Sequence, residues 1–372
     1  MPDAIGHANG PTMLTPGGRR DEIDTPALIV DLDVMERNIA TMIAFFRDRP
    51  AKLRPHFKSP KSPAIAKRLL AAGAIGMTCA KVAEAEVLVE HGIREILIAN
   101  QVIGAQKLAR LAALAKRASM IVAVDSVIGV ETLAAAADAA GVVIGVLVEV
   151  DVGMHRCGVR SPEAALDLAR RVQQHRALRF AGVMGYEGHA VMMPDRGERE
   201  QAARKAMALL AATADAIRAA GVPVEIVSAG GTGTYDLTGA YPGVTEIQAG
   251  SFILMDARYR EVDVPFACAL SLVTTVMSIP DARAAVIDAG MKAVTFEFGL
   301  PVVKDLAGVS LVFLSEEHGH LMTDDTRLQV GQRIELTPTH SDTTINLHDR
   351  LYGVRGERVE AIFSIDARGC CQ

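Results

Sequence analysis

The chain has 372 residues, a net charge of −5, half of its residues apolar and only 4% aromatic. That length exceeds one ordinary core, so one large and one smaller domain are expected. Acidic and basic residues are interspersed and the fully apolar runs are short, which argues against a nucleic-acid partner, a membrane-surface footprint or a transmembrane helix.

Residues 1–25 are polar and rich in Gly and Pro, without the apolar core of a secretion signal, and their first part is expected to be disordered. The cysteines, Cys79, Cys157, Cys268, Cys370 and Cys371, are scattered, odd in number and without zinc-type spacing, which predicts a reduced, cytoplasmic protein. From residue 26 to about 250, strand-like and helix-like runs alternate. PALIVDL reads as a buried strand, and DVMERNIATMIAFFRD after it as an amphipathic helix with Asp33 as N-cap. KLRPH, AIGMT, EILIA, MIVAV, VVIGVLVEV, RFAGVMGY and VEIVSAG follow as strands. The helical runs between them end near Gly73, Gly92, Gly141 and Gly221, the residue type suited to C-caps. Roughly eight such β/α units predict a (β/α)8 barrel over residues 26–262, with an open doubly wound sheet as runner-up. After Pro265 the pattern changes to short strands such as CALSLVTTVMSIP and VSLVFLSEEHG, so residues 263–372 are expected to form a separate β-domain.

A (β/α)8 barrel does its chemistry at the C-terminal ends of its strands. On that edge fall Lys58 in RPHFK, Arg156 in DVGMHRCGV, and Tyr186, Glu187 and His189 in MGYEGHA. SAGGTGTY and QAGS (Gln248 to Ser251) come last. Main-chain N–H groups of Gly230, Gly231 and Thr232 can cradle a phosphate, because glycine admits a close approach. A lysine at one strand end and a phosphate cradle at another point to pyridoxal phosphate, whose aldehyde condenses with the amine. Alone, a lysine after a strand is usually solvated and GGTG is usually a turn; their convergence on one edge carries the reading. Lys61 is the rival amine, and Lys58 is preferred because it lies nearer the strand end.

RPHFK, KVAEAEVL, VEVDVGMHRCGV, AGGTGTY, EIQAGSFILMDARY, DAGMKA, SEEHG and HSDTTINLHD occur in this order over nearly the whole chain after about residue 22. In them the chain resembles the fold-type III pyridoxal-phosphate enzymes of the D-threonine aldolase and D-serine dehydratase family, which join an alanine-racemase-like barrel to a C-terminal β-domain. The resemblance implies that Lys58 carries the cofactor, Arg156 hydrogen-bonds the pyridine nitrogen and Tyr186 lies beside the ring. Thr232, Gly250 and Ser251, with Gly231 in the loop, would hold the phosphate. It also implies a homodimer acting on small D-amino acids, with a second subunit completing the site.

His340 and Asp342 are two apart, which on an extended strand turns both the same way, and an imidazole with a carboxylate suits Mn2+, Mg2+ or Zn2+. The residues alone fit a charged turn as well; the resemblance implies that this His-x-Asp binds a metal beside the cofactor. Asp342 matches the aldolase branch, where the dehydratase branch has cysteine. The chain departs from the aldolase pattern at Glu187, where a histidine is usual, and at Met192, where another is usual. His189, in the same loop, is then the expected base. The implied reaction is cleavage of a D-β-hydroxy-α-amino acid to glycine and an aldehyde. The alternative is dehydration to ammonia and a 2-oxo acid. An amino-acid racemase is disfavoured by the metal pair, and a non-catalytic single-barrel cofactor-binding protein by the segment after Pro265.

Overall fold

The computed structural model describes residues 14–324 and 327–372; the expected disorder of the chain's first part falls on residues outside these. The chain enters through strand β1 (Ala27–Asp31) and helix α1 (Leu32–Phe46). Asp31, not the expected Asp33, caps α1: its carboxylate accepts from Val34 N–H at 3.0 Å. The helix begins earlier than its polar pattern implies because Leu32 already packs into the core.

Among the described residues eight parallel strands then form a barrel: β2 (Lys52–Leu53), β3 (Met77–Cys79), β4 (Glu95–Gln101), β5 (Ser119–Val124), β6 (Ile144–Glu149), β7 (Leu178–Met184), β8 (Ile226–Ala229) and β9 (Glu246–Ile247). Each pairs with the next from β3 to β9, and β9 pairs with β2. The ring closes just beyond β2, where Phe57 N–H donates to Thr78 O at 2.7 Å and Thr78 N–H to Pro55 O at 2.9 Å. Helices α2 (Pro63–Ala72), α3 (Val82–Glu90), α4 (Ala105–Ala115), α5 (Val127–Ala140), α6 (Pro162–Gln173) and α7 (Arg196–Ala219), with the short α8 (Tyr235–Gly239), alternate with these strands. Their apolar faces and the strands share one continuous core. α5 stops where Gly141 takes φ +66°, a left-handed conformation that glycine adopts without strain.

The second sheet contains β10 (Leu270–Asp281), β11 (Ala284–Ile287), β12 (Val302–Val303), β13 (Val309–Leu314), β14 (Gly319–Thr323), β15 (Arg333–Thr337), β16 (Arg350–Arg355) and β17 (Arg358–Ser364). A five-residue helix, α9 (Ser341–Ile345), lies between β15 and β16. β1 belongs to this sheet and not to the barrel it was expected to open: Ile29 stands opposite Ser271 of antiparallel β10 and Tyr352 of parallel β16. A strand buried on both faces reads as the same apolar run in either setting. The barrel still reaches eight because β9, two residues long and invisible as a strand in the sequence, takes the last place. No helix among the described residues is long and apolar enough to cross a membrane.

Candidate active site

A cavity of about 240 Å³ opens at the C-terminal mouth of the barrel. Lys58, Arg156 and Tyr186 line it, and so do Gly231, Thr232, Gly250 and Ser251. The loops after β2, β6, β7, β8 and β9 thus bring seven of the expected site residues to one wall.

Lys58 extends from a turn closed by the Lys61 N–H, which donates to Phe57 O at 2.9 Å. Its Nζ lies 3.5 Å from Asp342 Oδ2. That carboxylate raises the lysine pKa against the opposing effect of burial. Asp342 is itself buried, which pushes its carboxyl up, but Lys58 and His340 more than offset this and hold it below the usual range. Asp342 Oδ1 is buried and makes no hydrogen bond of normal length among the described residues, although the nearby Ser59 hydroxyl also helps to hold the carboxyl pKa down. His56, whose Nδ1 accepts from Lys58 N–H at 3.3 Å, is pushed down to about 3 by burial and by the Lys58 charge, so it is neutral at ordinary pH.

His340 and Asp342 do not sit on a strand. His340 is the extended N-cap residue of α9 and Asp342 lies in the first turn of that helix. The two are neighbours through a helix start, not through strand alternation. His340 Nδ1 is 2.6 Å from Glu297 Oε1, and the Thr343 hydroxyl donates to the same oxygen. Burial raises the Glu297 pKa, but the hydrogen bonds from Thr343, His340, its own main chain and Thr295 outweigh it and hold it at about 2. A carboxylate at Nδ1 fixes an imidazole with its Nε2 lone pair outward, the arrangement that orients metal-ligating histidines. With the unpartnered Asp342 oxygen, this donor pair fits a divalent cation. Asp342 reaches Lys58 within one chain, so this carboxylate needs no second subunit to bring it there.

The glycine loop is set from behind by Glu187. Its buried carboxylate accepts from the Thr234 hydroxyl at 2.6 Å, the Thr238 hydroxyl at 2.5 Å and Gly230 N–H at 3.2 Å. The Thr232 hydroxyl accepts from Phe252 N–H at 3.0 Å, joining this loop to the one after β9. Among the described residues nothing accepts from the main-chain N–H groups of Thr232, Gly250 or Ser251. Three free donors on a cavity wall fit a phosphate. Gly250 is required there, since a Cβ would come within 2.9 Å of the His56 main-chain oxygen. The Arg156 guanidinium lies 5.8 Å from the Tyr186 ring centre. The cavity, the amine and the donors together fit pyridoxal phosphate.

His189, the expected base, is exposed and packs its ring over Gly153, and it is not among the residues lining the cavity. Lys61 is also elsewhere, its ammonium bound to Glu84 Oε1 at 3.0 Å. Lining residues that the sequence pattern did not single out include His56, Asn100 and Tyr259. His56 lies inside the RPHFK run, and Tyr259 inside DARY. Asn100, at the end of β4, has no local signal. Burial raises the phenol pKa of both Tyr186 and Tyr259, so both stay protonated donors.

Residues 30–258 match the family described as "Alanine racemase, N-terminal domain", and residues 269–354 the one described as "Putative serine dehydratase domain". The chain belongs to the D-threonine aldolase and D-serine dehydratase family of fold-type III pyridoxal-phosphate enzymes. It is 39% identical over 365 residues to a D-threonine aldolase of Arthrobacter sp, covering 96% of both chains. It is 37% identical over 365 residues to a 3-hydroxy-D-aspartate aldolase of Paracoccus denitrificans (strain Pd 1222), covering 95% of this chain and 94% of that one. The crystal structure of D-threonine aldolase from Filomicrobium marinum superposes with a TM-score of 0.95 at 40% identity, covering 96% of this chain and 100% of that one. This kinship accounts for the barrel with its second sheet.

Proposed function

We propose that the protein is a pyridoxal-phosphate- and divalent-metal-dependent aldolase that cleaves D-β-hydroxy-α-amino acids to glycine and an aldehyde. One observation carries the proposal: a buried carboxylate oxygen of Asp342 without a partner, on the same side chain that stands 3.5 Å from the Lys58 amine. Held at Lys58, the cofactor supplies an electron sink for the charge left on Cα. A cation such as Mn2+, Mg2+ or Zn2+, held by His340 and Asp342, supplies Lewis acidity toward a hydroxyl.

The chain's own residues do the rest. Thr232, Gly250 and Ser251 bind the phosphate through main-chain N–H groups. Arg156 would donate to the pyridine nitrogen, and because a guanidinium keeps its protons it would leave that nitrogen unprotonated and the sink weaker. Tyr186 would lie beside the ring. Cleavage takes the proton from the β-hydroxyl and leaves Cα needing one, and the Lys58 amine, beside the Asp342 carboxylate, would carry the proton from the one to the other. The match of residues 269–354 supports a dehydratase as second reading, but a carboxylate in place of a thiol beside Lys58 favours the aldolase. Phe298, which packs edge-on against His340, and Phe296, each 47% exposed, offer apolar surface that a second subunit would cover, which supports a homodimer; the unpaired cysteines suit the cytoplasm.

The test is to incubate the metal-loaded enzyme with D-threonine, D-phenylserine, D-serine and 3-hydroxy-D-aspartate. Glycine and an aldehyde are expected from at least one. Ammonia and 2-oxo acids as the only products would establish the dehydratase instead.

A further inference from the structure

Lys61 follows Lys58 by three residues, yet the two are handled in opposite ways. Lys58 is half exposed and meets one carboxylate at 3.5 Å. Lys61 is buried, and all of its polar atoms are bonded. Its main chain holds φ +46°, the left-handed region that a residue with a Cβ enters at a cost. Its N–H closes the turn on Phe57 O at 2.9 Å, and its carbonyl accepts from Ala367 N–H at 3.2 Å. Its ammonium donates to Ala367 O at 3.1 Å and to Glu84 Oε1 at 3.0 Å. Glu84 uses its other oxygen to accept Ala80 N–H at 2.8 Å and Lys81 N–H at 3.2 Å, at the start of α3. Ala80 lines the cavity.

One buried side chain therefore joins the turn that carries Lys58, the cavity wall at Ala80 and the tail that follows β17. A buried ion pair adds little stability over apolar residues of the same volume, because both ions lose their hydration. It does impose direction, since the ammonium and the carboxylate must meet their partners in a narrow geometry. We infer that Lys61 is a positioning residue: with Glu84 and Ala367 it fixes the turn from which Lys58 reaches the cofactor. The inference rests on Lys58 as the cofactor-bearing lysine.

Removing both charges together avoids stranding either one, so the variant to make combines Lys61→Met with Glu84→Gln. Its unfolding midpoint should stay within a few degrees of the unaltered protein. Its pyridoxal-phosphate dissociation constant should rise about tenfold, the scale set by freeing the backbone of one residue. The borohydride-trapped label on Lys58 at limiting cofactor should fall in step. Unchanged capture at Lys58 would make the pair merely structural and overturn the inference. The unaltered protein gives a second measurement that needs no variant. Coupling is reciprocal, so cofactor binding should slow amide exchange at Lys61 and Ala367 by about tenfold; equal exchange with and without pyridoxal phosphate overturns the inference as well. If the unaltered protein captures no pyridoxal phosphate at Lys58, the proposed function fails, and this inference with it. That failure shows in the unaltered protein, before any variant is made.

Discussion

The glycine loop lines the cavity and the start of α9 reaches Lys58, and each is served by one buried carboxylate. Glu187, behind the glycine loop, accepts three hydrogen bonds and turns no oxygen to the cavity's contents. Asp342, at α9, leaves one oxygen unpartnered and points the other at Lys58. A buried polar atom left without a partner costs free energy. A carboxylate that bears that cost is poised for a ligand, whereas a fully bonded one braces the chain. The phosphate side is accordingly a main-chain cradle held rigid from behind, and the metal side is a set of side chains on a short helix.

The sharpest test of this division is the lysine that both sides serve. Lys58→Ala should lower turnover by at least on the order of 10³-fold, with the fold intact by circular dichroism, and borohydride should then label no lysine. On the α9 side, Asp342→Ala should lose more than about 100-fold in metal affinity or activity, and Glu297→Gln, which only orients His340, about 10–100-fold. Titration of Mn2+ against activity measures both, and equal losses would mean that Glu297 is itself a ligand. On the glycine side, Glu187→Ala should act on stability, because three donors lose their acceptor. A loss of about 2–4 kcal/mol in urea unfolding is expected. A variant as stable as the unaltered protein but inactive would place Glu187 in the chemistry and dissolve the contrast.

The smallest effect concerns pH. His56 has its pKa lowered from 6.5 to about 3. Between those values the unfolded chain binds a proton that the folded chain does not, so stability falls as pH drops through that window. Replacing it, as His56→Asn, should remove about one proton from the slope of unfolding free energy against pH. Identical slopes would show that His56 titrates normally.

Much of the architecture was legible because it is repetitive. Apolar runs of strand length alternate with helical runs, and the alternation stops at Pro265. What was misread lacked a local mark. β1 carries the same apolar composition in its actual sheet as it would in a barrel, and β9 is too short to show a period. Asp31 and Asp33 are equally good caps on paper, and the burial of Leu32 decides between them. The lysines of RPHFKSPK look alike until Glu84 and Ala367, remote in the chain, are brought against Lys61. Glu187 and His189 share a loop and differ wholly in direction, one inward to the threonines and one out over Gly153. The His340 and Asp342 spacing was read as strand geometry, where the structure has a helix start.

The placement of β1 also bears on how the chain is made. A ribosome releases Ala27–Asp31 first, but the β10 partner of Ala27–Val30 begins about 240 residues later, at Leu270. At roughly 5–20 residues per second, this apolar segment waits on the order of ten seconds or longer without a mate. For that time it is an open edge of the kind that recruits other chains. A barrel expressed without its second sheet would keep that edge permanently. A soluble fragment is therefore better obtained by starting the barrel after β1 and fusing Ala27–Asp31 to the C-terminal portion, where its hydrogen bonds are.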